Sequence, residues 1–271
     1  MGFFDSVRDW FASDDVRANA PLAEQRFLDV RSADNYRDLG GYDTPWGKTA
    51  FRRFVRAGST SSLTRQDLER LQAYGVRRVL DLRSEFEDPA LTCRFARVPH
   101  VMWLNVPLFD YDLSDPNLSG TAIPDGNYLI DGYVTMLSNH AAIRQIFEFF
   151  AGAAREGHGV LFHCAAGMDR TGMTAMLLLG LAQVPREQIV ADYLYSFASQ
   201  REVDRMVYGG EEPRVREASW NPLPTRKEAI EFMLDRVEEG YGSTHAYLAA
   251  CGIDEVSLDA VRGMLIGLDA R

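Results

Sequence analysis

Residues 159–173 read GVLFHCAAGMDRTGM, and no other stretch restricts the architecture as much. The apolar run at 160–162 has the length and bulk of a buried strand, and the run from 173 to 182 has that of a buried helix. Between them lies a short loop with a glycine. A strand that turns tightly into a helix is the repeating unit of a parallel, helix-covered sheet. Segments on either side repeat the alternation. Strands are expected at 26–30, in a hairpin near Pro45-Trp46-Gly47, at 76–82 and at 101–106, the last two buried. The Gly40-Gly41 pair marks a tight turn. A helix is expected from the Thr64/Asp67 start signal to Gly75, and another over 140–156 ending at Gly157. Residues 110–132, rich in Asp, Pro, Gly and Asn, read as a long loop. After Pro185 the pattern is helical, with candidates at 186–198, 225–239 (Thr225 and Glu228 as a capping box), 243–251 and 257–268. The fold class is therefore α/β: a mostly parallel central sheet flanked by helices, with extra C-terminal helices.

The loop also carries chemistry. Cys164 and Arg170 are separated by five residues, with His163 before the thiol and Thr171 after the guanidinium. A helix starting around 171–173 would aim its positive end at the loop. The amides of Ala165, Ala166, Gly167, Met168, Asp169 and Arg170 would then form an anion nest. A thiol in such a setting ionises more readily than free cysteine, which titrates near ~8.5. The planar fork of Arg170 can hold two oxygens of one phosphate. Thr171 can donate to sulfur, and His163 can shape the loop by hydrogen bonding. Together these residues suit a phosphate ester attacked by Cys164, a reaction that requires no metal or other cofactor. Cys-x5-Arg by itself is a weak signal; its place between strand and helix makes it specific.

Composition narrows the partners. A net charge of −10 excludes a generic nucleic-acid binder. Three scattered cysteines suit neither a disulfide framework nor a zinc site, and they fit a reducing, cytoplasmic setting. No stretch is long and apolar enough for an integral membrane segment. Residues 1–20 form a separate unit: Phe3, Phe4, Val7, Trp10 and Phe11 share one helical face, followed by an acidic linker. That face suits packing on the body or on a second copy. A membrane-surface helix would carry more Lys and Arg. Residues 21–271 read as a single domain, in which the polar segment 199–224 is a candidate lid.

Four stretches carry a family resemblance. They are Asn35-Tyr36-Arg37-Asp38-Leu39-Gly40-Gly41-Tyr42; Val79-Leu80-Asp81-Leu82-Arg83-Ser84; the loop itself; and Ile189-Val190-Ala191-Asp192-Tyr193-Leu194, with Tyr241-Gly242-Ser243 and Arg262-Gly263-Met264-Leu265 further on. On these the chain resembles the Cys-based protein tyrosine phosphatase superfamily. More narrowly it is similar to the bacterial atypical tyrosine/lipid phosphatases of the mycobacterial protein tyrosine phosphatase B type, over most of residues 26–268. The resemblance implies a phosphocysteine intermediate on Cys164, with phosphorylated proteins or peptides, and also phosphoinositides, as candidate substrates. Two carboxyls compete for the role of general acid: Asp169 inside the loop and Asp81 at a strand end. Arg37 and Asp38 read as structural. Where the subgroup often has lysine, this chain has Met168, which removes a cation suited to a second phosphate group. Phosphotyrosine is therefore expected to be a better substrate than a phosphoinositide. The aromatic rings of Phe109, Tyr111, Tyr128 and Tyr133 are candidates to flank a phosphotyrosine. A binding module that recognises phosphate without turnover is the main alternative; a sulfurtransferase or arsenate reductase would need other loop residues or nearby partner cysteines.

Overall fold

Apolar residues that alternate along short strands build a sheet with two greasy faces. Phe54, Leu80 and Phe162 point to one side, while their neighbours Val55, Val79 and Leu161 point to the other. The computed structural model describes residues 26–30, 32–33, 35–84, 93–109, 128–197 and 223–268. Its strands are β1 (Arg37–Asp38), β2 (Asp43–Thr44), β3 (Gly47–Lys48), β4 (Phe54–Ala57), β5 (Val76–Asp81), β6 (Met102–Asn105) and β7 (Gly159–His163). β2 and β3 form the small hairpin. The main sheet runs β1-β4-β7-β5-β6, antiparallel at β1–β4 and parallel elsewhere.

Among the described residues eight helices flank this sheet: α1 (Arg65–Tyr74), α2 (Tyr128–Ser138), α3 (His140–Glu156), α4 (Asp169–Leu181), α5 (Arg186–Leu194), α6 (Leu223–Tyr241), α7 (Thr244–Ala250) and α8 (Glu255–Leu265). The faces are covered unequally. Leu71 of α1 and Phe95 of a 3-10 turn close over Val55, Val79 and Leu161. On the other face α3, α4 and α8 contribute Phe150, Leu178 and Val261 to one core with Phe54, Leu80 and Phe162. The Phe150 ring meets Phe54 edge-on at 5.3 Å between centroids and tilts against Phe162 at 5.8 Å.

Several ends are set by local chemistry. Thr64 and Asp67 form the capping box of α1, and Gly75, at φ +117°, stops it. Gly157 ends α3 in the same left-handed way. Other boundaries differ from the sequence reading. Residues 128–132 are helical rather than loop, because Ile130, Tyr133, Val134 and Leu137 recur at helical spacing and turn to the core. α6 begins at Leu223, with Pro224 in its first turn, so Thr225 lies inside the helix instead of capping it. α8 begins two residues before Ser257, because Asp254 accepts the Ser257 amide at 2.7 Å. α5 stops at Leu194 and gives way to a 3-10 turn. In place of a strand at 26–30 there is one bridge, Phe27 to Arg37. β6 is an edge strand with Met102, Trp103 and Leu104 exposed, where a buried strand was expected. The segment 1–20, residues 199–222 of the candidate lid 199–224 and Tyr111 lie outside the described residues.

Strand register positions the site. Ala57 and Asp81 both pair with His163, and Asn105 pairs with Asp81. The carboxyl ends of the four parallel strands thus form one row. In open α/β sheets that edge is where ligands bind.

Candidate active site

β7 delivers Cys164 to the centre of this row. The thiol is buried, 2% exposed, at the floor of the loop 164–168. α4 starts at Asp169, earlier than the expected 171–173, because the Gly172 amide closes a turn onto the Met168 carbonyl at 2.7 Å. Asp169 is therefore the first helical residue, and Arg170 lies within the first turn.

The loop's carbonyls are turned outward and tied. Ala165 accepts from the Ser59 amide at 2.8 Å. Ala166 accepts from Asn35 Nδ2 at 3.0 Å. Gly167 accepts from both Asn35 Nδ2 at 3.1 Å and Arg56 Nη2 at 2.9 Å. With the carbonyls held outside, the amides are left to the inside, and the Gly167 amide already donates to Cys164 Sγ at 3.3 Å. Gly167 sits at φ +72°, and a Cβ there would meet the Gly58 nitrogen at 2.6 Å and the Ala57 oxygen at 2.7 Å. Only glycine fits, in both conformation and space. The Thr171 hydroxyl donates to the Ala57 carbonyl at 3.4 Å, so it ties α4 to β4.

Below the loop lies a buried polar cluster. His163 Nδ1 faces the Cys164 carbonyl at 3.2 Å, and Nε2 lies 3.6 Å from Cys93 Sγ and 3.7 Å from Asp81 Oδ2. A carbonyl only accepts, so Nδ1 carries the proton. Burial holds the His163 imidazole below its ordinary value, with the Arg83 and Arg170 cations adding to that against the pull of Asp81. Arg83 forks over Asp81, with Nε to Oδ1 at 2.9 Å and Nη2 to Oδ2 at 2.7 Å. Burial raises the Asp81 carboxyl, but Arg83 and His163 outweigh it and hold it below the usual aspartate range. Ligand atoms of Asp81, Cys93 and His163 lie within 4.8 Å of one another, a spacing a metal could use. The guanidinium already on both Asp81 oxygens makes the trio a hydrogen-bonded cluster instead.

Asp169 sits at the rim, half-buried, and its Oδ1 accepts from Tyr133 Oη at 2.5 Å and Arg226 Nη1 at 3.2 Å. Tyr133 also shares a short hydrogen bond with Tyr193. Burial pushes the Tyr133 phenol well above its ordinary range, which keeps it a donor. Tyr133 is thus engaged with Asp169 in the interior, and Phe109 packs partly against the core. Met168, half-buried, also leans on the core.

Behind the loop, Asp192 takes Arg37 Nε at 3.0 Å, Tyr42 Oη at 2.9 Å and a short bond from Arg56 Nη1. Burial alone would raise its carboxyl; Arg37 and Arg56 reverse that and hold it well below the aspartate range. Asp38 accepts amides of Gly40 and Arg52 and the Tyr74 hydroxyl, all at 2.7 Å, and so braces the Gly-Gly turn. The sequence reading left out Asn35, Arg56, Tyr133's bond to Asp169, and Arg226. Asn35 and Asp192 stood inside the matched stretches; nothing near Arg226 in sequence marks it.

A tyrosine phosphatase family model matches residues 28–267. The chain belongs to this tyrosine phosphatase family. A Cupriavidus necator protein assigned as a tyrosine-protein phosphatase is 31% identical, over 85% of this chain and 86% of its own. A tyrosine-protein phosphatase of Nostoc commune is 30% identical, over 77% of this chain and 72% of its own. The triple specificity protein phosphatase PtpB of Mycobacterium tuberculosis is 29% identical, over 88% of this chain and 99% of its own. The match spans every strand of the phosphatase sheet described above. Among the described residues no helix is long and apolar enough to cross a membrane.

Proposed function

We propose that this tyrosine phosphatase hydrolyses phosphotyrosine through a phosphocysteine on Cys164, without a metal. The observation that carries the reading is the buried Cys164 sulfur under an amide, inside a loop whose carbonyls at 165–167 are all tied outward. In the first step the Cys164 thiolate attacks phosphorus: an S–P bond forms and the ester P–O bond breaks. Inward amides and Arg170 hold the non-bridging oxygens, and an acid protonates the departing phenolate. In the second step water attacks the phosphocysteine, the S–P bond breaks, and the conjugate base of that acid takes the water's proton. Inorganic phosphate leaves and the thiolate is restored.

Asp169 is the acid in this reading. It stands at the rim, partly open to solvent, and its other carboxylate oxygen has no hydrogen-bond partner among the described residues. Asp81 has both oxygens under Arg83 and stays ionised, which suits a group that orients Arg83 and His163. Replacing each by asparagine separates them. Asp169→Asn should cost on the order of 10²–10⁴-fold in kcat with phenyl phosphate and far less with p-nitrophenyl phosphate, whose leaving group needs little protonation. A leaving-group-dependent loss in Asp81→Asn instead would reverse the assignment. Cys164→Ser should abolish phosphate release, and chelators should leave the wild type unchanged.

Met168 bears on substrate choice. A thioether at this point offers no charge to a second phosphate group, so phosphotyrosyl peptides should be turned over in preference to phosphoinositides, with phosphoseryl and phosphothreonyl peptides completing the panel. Met168→Lys should raise phosphoinositide turnover relative to phosphotyrosyl peptide. A wild-type enzyme that prefers phosphoinositides would overturn this reading.

A further inference from the structure

Asn35 has the geometry of an orienting device, and its direction is dictated by charge. Its backbone sits at φ +69°, a left-handed conformation that asparagine tolerates better than most residues. From there the carboxamide reaches the loop from outside. Nδ2 donates to the carbonyls of Ala166 and Gly167 and approaches that of Ser196 at 3.5 Å. Oδ1 accepts from Arg37 Nη1. Arg37 is a donor only, so the amide oxygen must face it and the NH2 must face the loop. Arg37 is itself fixed by Asp192 through Nε at 3.0 Å, and by the Asp192 carbonyl and the Ser196 hydroxyl through Nη2 at 2.6 and 2.9 Å. The chain of bonds runs Asp192–Arg37–Asn35–loop, and each link permits one orientation of the next.

We propose that Asn35 is a positioning residue for the phosphate cradle: set by Arg37, it holds the Ala166 and Gly167 carbonyls outward so that the loop amides meet the anion. This rests on the phosphatase reading above. Without the carboxamide, among the described residues the Ala166 carbonyl loses its donor and the Gly167 carbonyl keeps only Arg56. Either peptide can then turn and present an acceptor where an anion must sit.

Asn35→Asp tests this while changing little else. Aspartate is isosteric, tolerates the same φ, and keeps an acceptor for Arg37, but it offers two carbonyls an acceptor in place of a donor. The readouts are inhibition by inorganic phosphate and by vanadate, together with the thermal midpoint in phosphate-free buffer. The variant should melt close to the wild type, yet bind both oxyanions on the order of ten-fold or more weakly, with a matching fall in kcat/KM. Asn35→Gly, which accepts φ +69° without strain and removes the carboxamide, should also lose oxyanion affinity. Wild-type affinity for both oxyanions in either folded variant would overturn the proposal, and so would failure of both variants to fold, which would make Asn35 part of the scaffold. If the wild type itself bound neither phosphate nor vanadate, the phosphatase reading would fall first.

Discussion

At the residue scale, the site depends on side chains chosen for what they exclude as much as for what they donate. Gly167 is the clearest case. Alanine there would need a left-handed backbone and would press on the Ala57 and Gly58 backbone at less than 3 Å. Gly167→Ala should therefore destabilise the protein by about 1–3 kcal/mol. It should also cut kcat/KM by on the order of 10²-fold, because small displacements of catalytic groups are costly. A urea titration beside steady-state kinetics checks both; an intact kcat/KM would mean that the loop does not depend on this backbone. The thiol, the guanidinium and the glycine were legible in sequence because they stand within a few residues of one another. Asn35 and Arg226 were not. Their roles arise from contacts 131 and 57 residues away along the chain, and no local pattern encodes such a distance.

At the element scale, the apolar runs predicted β5, β6 and β7 and most helices, since burial is a local property of spacing, whereas the short strands β1 and β4 carry no apolar run of that length. α2 escaped attention because the polar run before it drew the loop reading over residues that have helical spacing. The two faces of the sheet should respond differently to mutation. Phe150 joins α3 to Phe54 and Phe162 at the centre of the larger core, and it is fully buried. Phe150→Ala should cost about 3–5 kcal/mol in the midpoint of chemical unfolding. Thr64→Ala removes one half of the α1 capping box on the other face and should cost about 1 kcal/mol. Because no hydrogen bond among the described residues joins α1 to the loop, that variant should keep wild-type turnover; a marked loss would show that α1 is coupled to the site.

At the scale of the whole molecule, one carboxylate joins distant parts of the chain. Asp192 on α5 binds Arg37 on β1 and Arg56 on β4, and through them holds Asn35 and Gly167. Its carboxyl is held below the ordinary aspartate value in the fold, whereas in the unfolded chain it titrates near ~3.9. The unfolded state thus takes up the proton first as pH falls. Stability from this group is complete above about pH 5 and is lost progressively as pH drops below about 4. Asp192→Asn should cost about 3–5 kcal/mol at neutral pH, since it leaves buried guanidinium charge uncompensated. It should also flatten the acid limb of the stability–pH curve; an unchanged limb would assign acid sensitivity to other carboxylates. The sequence by itself determined the α/β class and the strand–loop–helix unit that sets a thiol five residues before an arginine, because local spacing and helix polarity act over a few residues. The tertiary structure decided which carboxyl faces the rim and which is locked under Arg83, and how the loop's carbonyls are held outward. Asp81 is locked by Arg83 only two residues on, but Asp169 meets Tyr133 and Arg226 from other elements, and the loop's carbonyls meet donors more than a hundred residues away, where desolvation leaves each donor and acceptor few partners to choose from.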